Sequence, residues 1–232
     1  MKKLSILIPA YNEEKTVAEV IRRVFAADTL DFEKEVIVVD DGSTDNTLSA
    51  LKEISSFPFI LISHPKNLGK GAAIRTALGR ASGDAILIQD ADLELDADDY
   101  PVLLKELNET TRVVYGSRNL LPRIDGKRYP LYSLGGKMLT GFFNFLYGTH
   151  LTDINTAYKL FSKETMRAEE LKSDGFEFCE EITAKLTRKG YKIKEVPIRY
   201  TPRTFAGGKK LRAKDGLIGL WTIVKYRFFS DK

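Results

Sequence analysis

The chain has 232 residues, 43% hydrophobic and 29% charged, with a net charge of +4. This is ordinary globular composition, and it excludes collagen-like, low-complexity and disulfide-scaffold classes. A single cysteine, Cys179, and two histidines, His64 and His150, exclude an intrachain disulfide and a cysteine- or histidine-based metal site, and point to a reducing, cytoplasmic compartment.

The positive charge is unevenly placed. Residues 185–232 carry 14 Lys/Arg against 3 Asp/Glu, leaving 22 against 29 in residues 1–184. A basic segment of this kind suits a phosphate-bearing partner, whether nucleotide, nucleic acid or anionic lipid; a solvated basic face is the plainer alternative. No run approaches the roughly 18 apolar residues needed to span a bilayer. The N-terminal apolar run stops at Pro9 and is followed by Tyr-Asn-Glu-Glu, so it does not read as a signal peptide.

In chain order, Leu4–Ile8 reads as a strand closed by Pro9, and Glu13–Ala27 as a helix with Val17, Val20, Ile21 and Val24 at helical spacing. Val36–Val39 is a second strand ending in Asp40-Asp41-Gly42, with Ser43, Thr44 and Asp45 as N-cap candidates for a helix to about Ile54. Phe59–Ile62 is a third strand, Asn67–Gly71 a turn, and an Ala-rich helix follows to about Ala81. Ala85–Ile88 is the fourth strand, Asp98–Asn108 a helix and Arg112–Tyr115 the fifth strand. Beyond it, Ser133–Tyr147 and Phe178–Arg188 read as helices, Ala157–Phe161 and Lys192–Tyr200 as strands, and Pro202–Lys214 as a Gly- and Lys-rich loop. Gly216–Phe229 is an amphipathic helix with Leu217, Leu220, Trp221, Val224 and Phe228 on one stripe.

Strands that read as continuous apolar runs and alternate with helices predict an open, mostly parallel α/β sheet covered on both faces. Ligands bind such sheets beyond the carboxyl ends of the strands. That rule gathers Pro9–Glu13, Asp40–Gly42, Asp90–Glu94 and Gly116–Arg118 into one crevice. If the fourth strand persists past Ile88, Asp90, Asp92 and Glu94 share one face of it. Three carboxylates there suit a hard divalent cation, Mg²⁺ or Mn²⁺; an acidic turn is the bland alternative.

Pro9-Ala10-Tyr11-Asn12-Glu13, Val38-Val39-Asp40-Asp41-Gly42-Ser43, Asn67-Leu68-Gly69-Lys70-Gly71 and Asp90-Ala91-Asp92-Leu93 occur in that order. The series resembles the family 2 glycosyltransferases of the GT-A type. Gly116-Ser117-Arg118, the Asp153 to Lys159 segment and the Arg203 to Lys209 loop are similar to those of dolichyl- and polyprenyl-phosphate mannosyl- and glucosyltransferases. The resemblance covers essentially the whole chain. It implies one Rossmann-like nucleotide-sugar-binding GT-A domain over residues 1–232, with a donor half (1–120), an acceptor half (121–213) and a C-terminal amphipathic helix (214–232).

The resemblance also implies roles. Pro9, Tyr11 and Glu13 hold base and ribose, with Val39 and Asp41 near the base. Asp90, Ala91 and Asp92 meet the donor diphosphate, and Asp90, Asp92 and Glu94 bind the metal. Arg118, Arg203 and Lys209 grip phosphates, helped by Lys210 or Ser133. Asp92, Arg118 and Arg203 are the residues expected to carry catalysis. Three departures from the family pattern stand out: Glu94 replaces the usual Gln, Ala157-Tyr158 replaces Gly-Phe, and Glu177 stands where some mannosyl enzymes have Lys.

The implied reaction is metal-dependent, inverting transfer of a hexose from GDP-mannose or UDP-glucose to a membrane polyprenyl or dolichyl phosphate. A phosphate acceptor is already largely anionic at neutral pH and needs no general base. A hydroxyl acceptor on a soluble glycan or small molecule is the alternative, and it would need one, for which Glu180 and Glu181 are candidates unless they form a solvated helix face. A lipid acceptor implies peripheral membrane contact through 133–147 or 216–229, unless those helices pack on the core. It also raises an integral-membrane partner as an open expectation. Lys70 reads as a surface residue or a phosphate ligand, His64 and His150 as structural, and Cys179 as a core-facing thiol.

Other classes fit poorly. Neither Gly-x-Gly-x-x-Gly nor a complete P-loop is present, and the Gln-x-x-Arg-Trp motif of processive synthases is missing. A nucleic-acid binder would leave the acids unexplained, so no nucleic-acid partner is expected.

Overall fold

The computed structural model describes residues 2–121, 130–203 and 213–229. Four strands, β1 (Lys2–Ala10), β2 (Phe32–Asp40), β3 (Phe59–Ser63) and β4 (Ala85–Ile88), pair in parallel. β5 (Val113–Ser117) and β7 (Ile193–Pro197) also pair in parallel, and β6 (Lys159–Ser162) lies antiparallel between β4 and β5. The full order is β3-β2-β1-β4-β6-β5-β7. The mostly parallel sheet expected from the sequence is thus present, with one reversed strand.

Both faces of the central strands are apolar because both are covered. On β1, Leu4, Ile6 and Ile8 join one core while Leu7 joins the other. On β4, Ala85 and Leu87 face the first core and Ile86 and Ile88 the second. The first layer is made by α1 (Val17–Ala26), α2 (Thr47–Glu53) and α4 (Tyr100–Glu106), and the second by α3 (Lys70–Arg80) and α6 (Phe178–Arg188). Val17, Val20, Ile21 and Val24 of α1 are all buried, as their spacing requires. The second helix starts at Thr47 rather than at Ser43–Asp45, and the Asp45 carboxylate accepts from the Thr47 N–H at 2.9 Å.

One expectation is corrected. β4 stops at Ile88, and Leu93 has a φ of 60°, so Asp90, Asp92 and Glu94 lie on a turn and not on alternate positions of a strand. The apolar stripes of α5 (Pro130–Tyr147) and α7 (Ala213–Phe228) largely face outward. These two helices pack on each other and on α6 through Phe143, Ile223 and Tyr226, while Leu134, Met138, Phe145, Leu217, Trp221 and Phe228 remain exposed. Among the described residues no helix is long and apolar enough to cross a membrane.

α7 is fastened to the body through a buried carboxylate. Glu181 is fully buried and accepts from the backbone N–H groups of Lys172 (2.8 Å) and Ser173 (2.7 Å), from Lys185 Nζ (2.5 Å) and from Tyr226 Oη (2.7 Å). It is therefore neither a solvated helix residue nor an available base. Replacing it by glutamine keeps the shape but removes the charge from this hub. Glu181→Gln is expected to lower unfolding stability by about 2 kcal/mol, within the usual range for a charge-assisted hydrogen bond, as read from urea denaturation.

Candidate active site

The crevice is built where the parallel strands end, and hydrogen bonds stitch its loops together. After β1, Asn12 takes a positive φ of 51°, its N–H donates to Ser43 Oγ (3.0 Å), and its Oδ1 accepts from Thr44 N (2.8 Å). Glu13 N donates to Thr47 Oγ1 at 2.7 Å, and Thr16 Oγ1 bridges from Glu13 Oε2 (2.9 Å) to the Ala91 carbonyl (2.7 Å). The loops after β1, β2 and β4 are thereby locked together, as the strand-end rule requires.

Asp41 is buried and saturated. Its carboxylate accepts from Asn67 Nδ2 (3.0 Å), Leu68 N (3.0 Å) and Gly69 N (2.8 Å), and pairs with His64 Nδ1 at 2.7 Å. His64, which has no acidic neighbour in sequence, finds one 23 residues away. Asp41 therefore shapes the turn that begins α3. Gly69 takes a φ of 104° in that turn, and a Cβ there would collide with the Asp174 carbonyl. Val39 is fully buried in the sheet core, and Pro9 and Tyr11 are part-exposed at the crevice. Asp40, which carried no assignment from the sequence, is 2% exposed, and its Oδ1 has no hydrogen-bond partner among the described residues.

The acidic turn is bound by two cations. Lys70 Nζ lies 2.6 Å from Asp90 Oδ1. Burial is the largest single influence and lowers the Lys70 pKa, but the charges of Asp90, Cys179 and Asp92 and the Asp90 hydrogen bond together raise it. Arg203 reaches Glu13 Oε2 at 2.8 Å, Asp92 Oδ2 at 2.9 Å and Glu94 Oε1 at 3.6 Å. Burial first, then the charges of Asp90 and Glu94, push the Asp92 carboxyl up to about 7. The donors are all oxygen and crowd negative charge, which suits a hard divalent ion. Their oxygens are shared with Lys70 and Arg203, and among the described residues no three acids form a ready-made cage.

Glu94 does more than offer a carboxylate. Its Oε1 accepts from the Arg203 backbone N–H at 2.9 Å and its carbonyl from Thr201 N at 2.9 Å, next to a Leu95–Tyr200 bridge. Beneath the turn, Gln89 Oε1 accepts from Tyr100 Oη (2.8 Å) and Tyr158 Oη (2.7 Å), and its Nε2 donates to the Asp90 carbonyl at 2.9 Å. Sequence reasoning gave Gln89 and Tyr100 no role and noted Tyr158 only as a departure from the family pattern. The one available signal was a glutamine closing an otherwise apolar strand.

On the far side of the crevice, Arg118 Nε and Nη2 form a fork with Asp153 at 2.7 and 2.8 Å, and the guanidinium lies 5.2 Å from the Tyr200 ring centroid. Burial and the Arg118 charge oppose each other at Asp153, and Arg118 prevails, holding the carboxyl below its usual range. Glu195 accepts from the N–H groups of Thr152 (2.7 Å) and Asp153 (2.9 Å), which fixes the Asp153 loop. Lys159 is fully buried and donates to the Ile154 carbonyl at 2.7 Å, and burial pushes its pKa down. Glu177 caps the Gly175 N–H at 3.1 Å, and Cys179 is buried as expected. Lys209 and Lys210, and the side chain of Ser133, lie outside the described residues.

Glu180, the other base candidate, is 2% exposed and accepts from Asn155 Nδ2 at 2.9 Å, with Gly219 of α7 packed close against it. Burial pushes its carboxyl up to about 7 from the ordinary 4.5. Between those values the folded chain keeps a proton that the unfolded chain releases. The resulting stability is fully present below pH 4.5 and is lost as pH rises through 7. Glu180→Gln, neutral throughout, should gain on the native protein by about 3 kcal/mol between pH 4.5 and pH 8, read from paired urea titrations.

The model of the family described as Glycosyl transferase family 2 matches residues 5–168. A UDP-N-acetylglucosamine–dolichyl-phosphate N-acetylglucosaminyltransferase of Methanococcus voltae is 30% identical over 89% of this chain and 90% of its own length. A dolichyl-phosphate beta-glucosyltransferase of Trichomonas vaginalis is 32% identical over 97% of this chain and 73% of its own length. A low-salt glycan biosynthesis hexosyltransferase of Haloferax volcanii is 33% identical over 86% of this chain, which spans only 48% of that relative. Among solved structures, glucosyl-3-phosphoglycerate synthase from Mycobacterium tuberculosis in complex with UDP superposes with a TM-score of 0.75 at 20% identity, over 100% of this chain and 82% of that one. Its complex with Mn²⁺, UDP and phosphoglyceric acid gives 0.76 at 18% identity, over 100% and 80%. At such identity the likeness is one of fold.

Proposed function

The chain belongs to glycosyl transferase family 2 and has the GT-A fold, and from that premise we propose that it transfers a hexose from UDP-glucose or GDP-mannose to a membrane polyprenyl or dolichyl phosphate, with inversion. The observation that carries this reading is the meeting of acids and bases in one crevice. Arg203 and Lys70 lie against Glu13, Asp90, Asp92 and Glu94, and Arg118 stands across from them. A diphosphate leaving group needs this mixture of charges, since negative charge grows on it as the glycosidic bond breaks.

Asp90, Asp92 and Glu94 would hold a divalent ion, Mg²⁺ or Mn²⁺, which when bound supplies Lewis-acid neutralisation of the leaving diphosphate. Mn²⁺ and Mg²⁺ both occur with UDP in the structural neighbours, which supports use of such an ion. In the proposed mechanism, Arg203 and Lys70 exchange carboxylate partners for diphosphate oxygens. Asp40 Oδ1, buried and without a donor among the described residues, is suited to accept a hydrogen bond from a base or ribose. Asp153 holds the Nε/Nη2 edge of Arg118 and leaves Nη1 to a second phosphate. Glu181 is saturated and Glu180 buried, which favours an acceptor that arrives already ionised over a hydroxyl that needs a base.

The outward stripes of α5 and α7 support a lipid acceptor. Leu217, Trp221 and Phe228 are exposed at 70%, 59% and 62%, with Trp221 and Phe229 stacked at 6.0 Å. Lys214, Lys225 and Arg227 are exposed on the same helix, a pattern suited to an anionic bilayer surface. The dolichyl-phosphate relatives support the same acceptor.

The decisive assay uses labelled UDP-glucose and GDP-mannose, Mg²⁺ or Mn²⁺, and dolichyl or undecaprenyl phosphate. Label should enter the lipid, and Asp92→Ala should fold normally yet abolish transfer. Turnover on a soluble glycan with neither lipid labelled would refute the lipid assignment. Separately, Leu217→Glu/Trp221→Glu should lose co-sedimentation with anionic vesicles, each buried side chain being worth about 1.5–3 kcal/mol. Undiminished sedimentation would show that α7 does not meet the bilayer.

A further inference from the structure

Arg203 is the point of contact for three carboxylates that reach it from two loops. Its Nη1 donates to both oxygens of Glu13 at 3.1 and 2.8 Å, and its Nη2 donates to Glu13 Oε1 at 3.2 Å and to Asp92 Oδ2 at 2.9 Å. Glu94 Oε1 holds the backbone N–H of the same residue at 2.9 Å. The other oxygen of Asp92, Oδ1, accepts from Glu94 N at 3.1 Å. Every oxygen named here has a donor, and the guanidinium supplies most of them. The fit of Arg203 is also incomplete: its Nε is buried, makes no hydrogen bond among the described residues, and stands 3.6 Å from Glu94 Oε1.

A divalent ion of the Mg²⁺ or Mn²⁺ type binds carboxylate oxygens at about 2.0–2.2 Å and tolerates little deviation. Coordination through Asp92 Oδ2 or Glu94 Oε1 therefore draws on oxygens that Arg203 holds, and places two positive charges a few ångströms apart. We infer that Arg203 competes with the divalent ion for Asp92 and Glu94, and that a nucleoside diphosphate relieves the competition by giving the guanidinium another anion. Metal and diphosphate then bind with positive coupling transmitted through this one side chain. A diphosphate is a strong lure for it, because guanidinium–phosphate forks are bidentate and charge-assisted. By linkage, the factor by which diphosphate tightens the metal equals the factor by which metal tightens the diphosphate.

The charge on Glu94 fits this role. Glutamine at that position would keep an oxygen for the Arg203 N–H but would withdraw one of the three negative charges around the guanidinium. The glutamate thus strengthens the hold on Arg203 and deepens the dependence of metal binding on diphosphate. The coupling half of the inference rests on the nucleotide-sugar reading; the competition half stands on the contacts alone.

The test is Mn²⁺ binding followed by the EPR signal of the free ion, without turnover. It compares wild type, Arg203→Gln, Arg203→Lys and Arg199→Gln, each with and without UDP or GDP. Arg199 pairs with Asp96 and Asp99 outside the cluster and controls for loss of one positive charge. Arg203→Gln is expected to bind Mn²⁺ alone at least ~5-fold more tightly than wild type, the lower end of common coupling factors. Arg203→Lys should fall between the two, and Arg199→Gln should stay within about twofold of wild type. The tightening produced by the nucleotide should shrink in Arg203→Gln by the factor gained without it. Equal or weaker Mn²⁺ binding by Arg203→Gln, or an equal gain in Arg199→Gln, overturns the competition. An undiminished nucleotide effect overturns the coupling. A nucleotide without effect on wild type, beside a retained gain in Arg203→Gln, overturns the coupling and the nucleotide-sugar reading while upholding the competition. If Arg203→Gln does not fold by circular dichroism, a gain in Arg203→Lys upholds the competition and its absence overturns it.

Discussion

The ion pairing of Arg203 with Glu13, Asp92 and Glu94 joins the two parts of the crevice. Glu13 follows the first strand and the aspartate–glutamate turn follows the fourth, while Arg203 arrives from the segment beyond the last strand. A single exposed ion pair contributes little to stability. Here three carboxylates surround one guanidinium that is 20% exposed, and the acids would otherwise repel one another. The interaction fixes where residues 200–203 lie, with help from the Leu95–Tyr200 bridge, and Tyr200 in turn backs Arg118. The acids of the first and fourth strand ends and the far-side arginine are linked through that short run of chain.

Around this cluster the protein uses buried polar groups as fasteners. Asp41 gathers four donors to set the turn before the third helix, Glu181 gathers four to seat the last helix, and Gln89 joins two tyrosines beneath the acidic turn. Each group is satisfied by several hydrogen-bond partners, some of them from other elements, which is how a buried charge or amide becomes tolerable. These fasteners hold the loops at the strand ends, where regular structure has stopped supplying hydrogen bonds.

Much of this was legible from local pattern. The fourth strand and the sixth helix occupy Ala85–Ile88 and Phe178–Arg188, the spans that their periodicity predicts. The strand-end rule brought Glu13, Asp90, Asp92 and Arg118 to one crevice. What sequence pattern did not show is partnership across long separations. Glu180 and Glu181 look like a solvated pair because the groups that bury them, Asn155 and Tyr226, come from other elements. The reversed sixth strand is likewise invisible in a four-residue apolar run, since strand direction is set by the connection and not by composition. The outward stripes of the fifth and seventh helices carry a helical period, and a period alone does not say which side of a helix meets the protein.

The Glu13–Arg203 contact spans 190 residues of chain. Ribosomes add about 5–20 residues per second, so the glutamate emerges roughly 10–40 s before its arginine is made. During that interval the first four strands can pair, yet the acids at their ends have no guanidinium to share. The Arg203 contacts are therefore made late in synthesis, and folding quality at the start of the chain does not by itself report whether they exist.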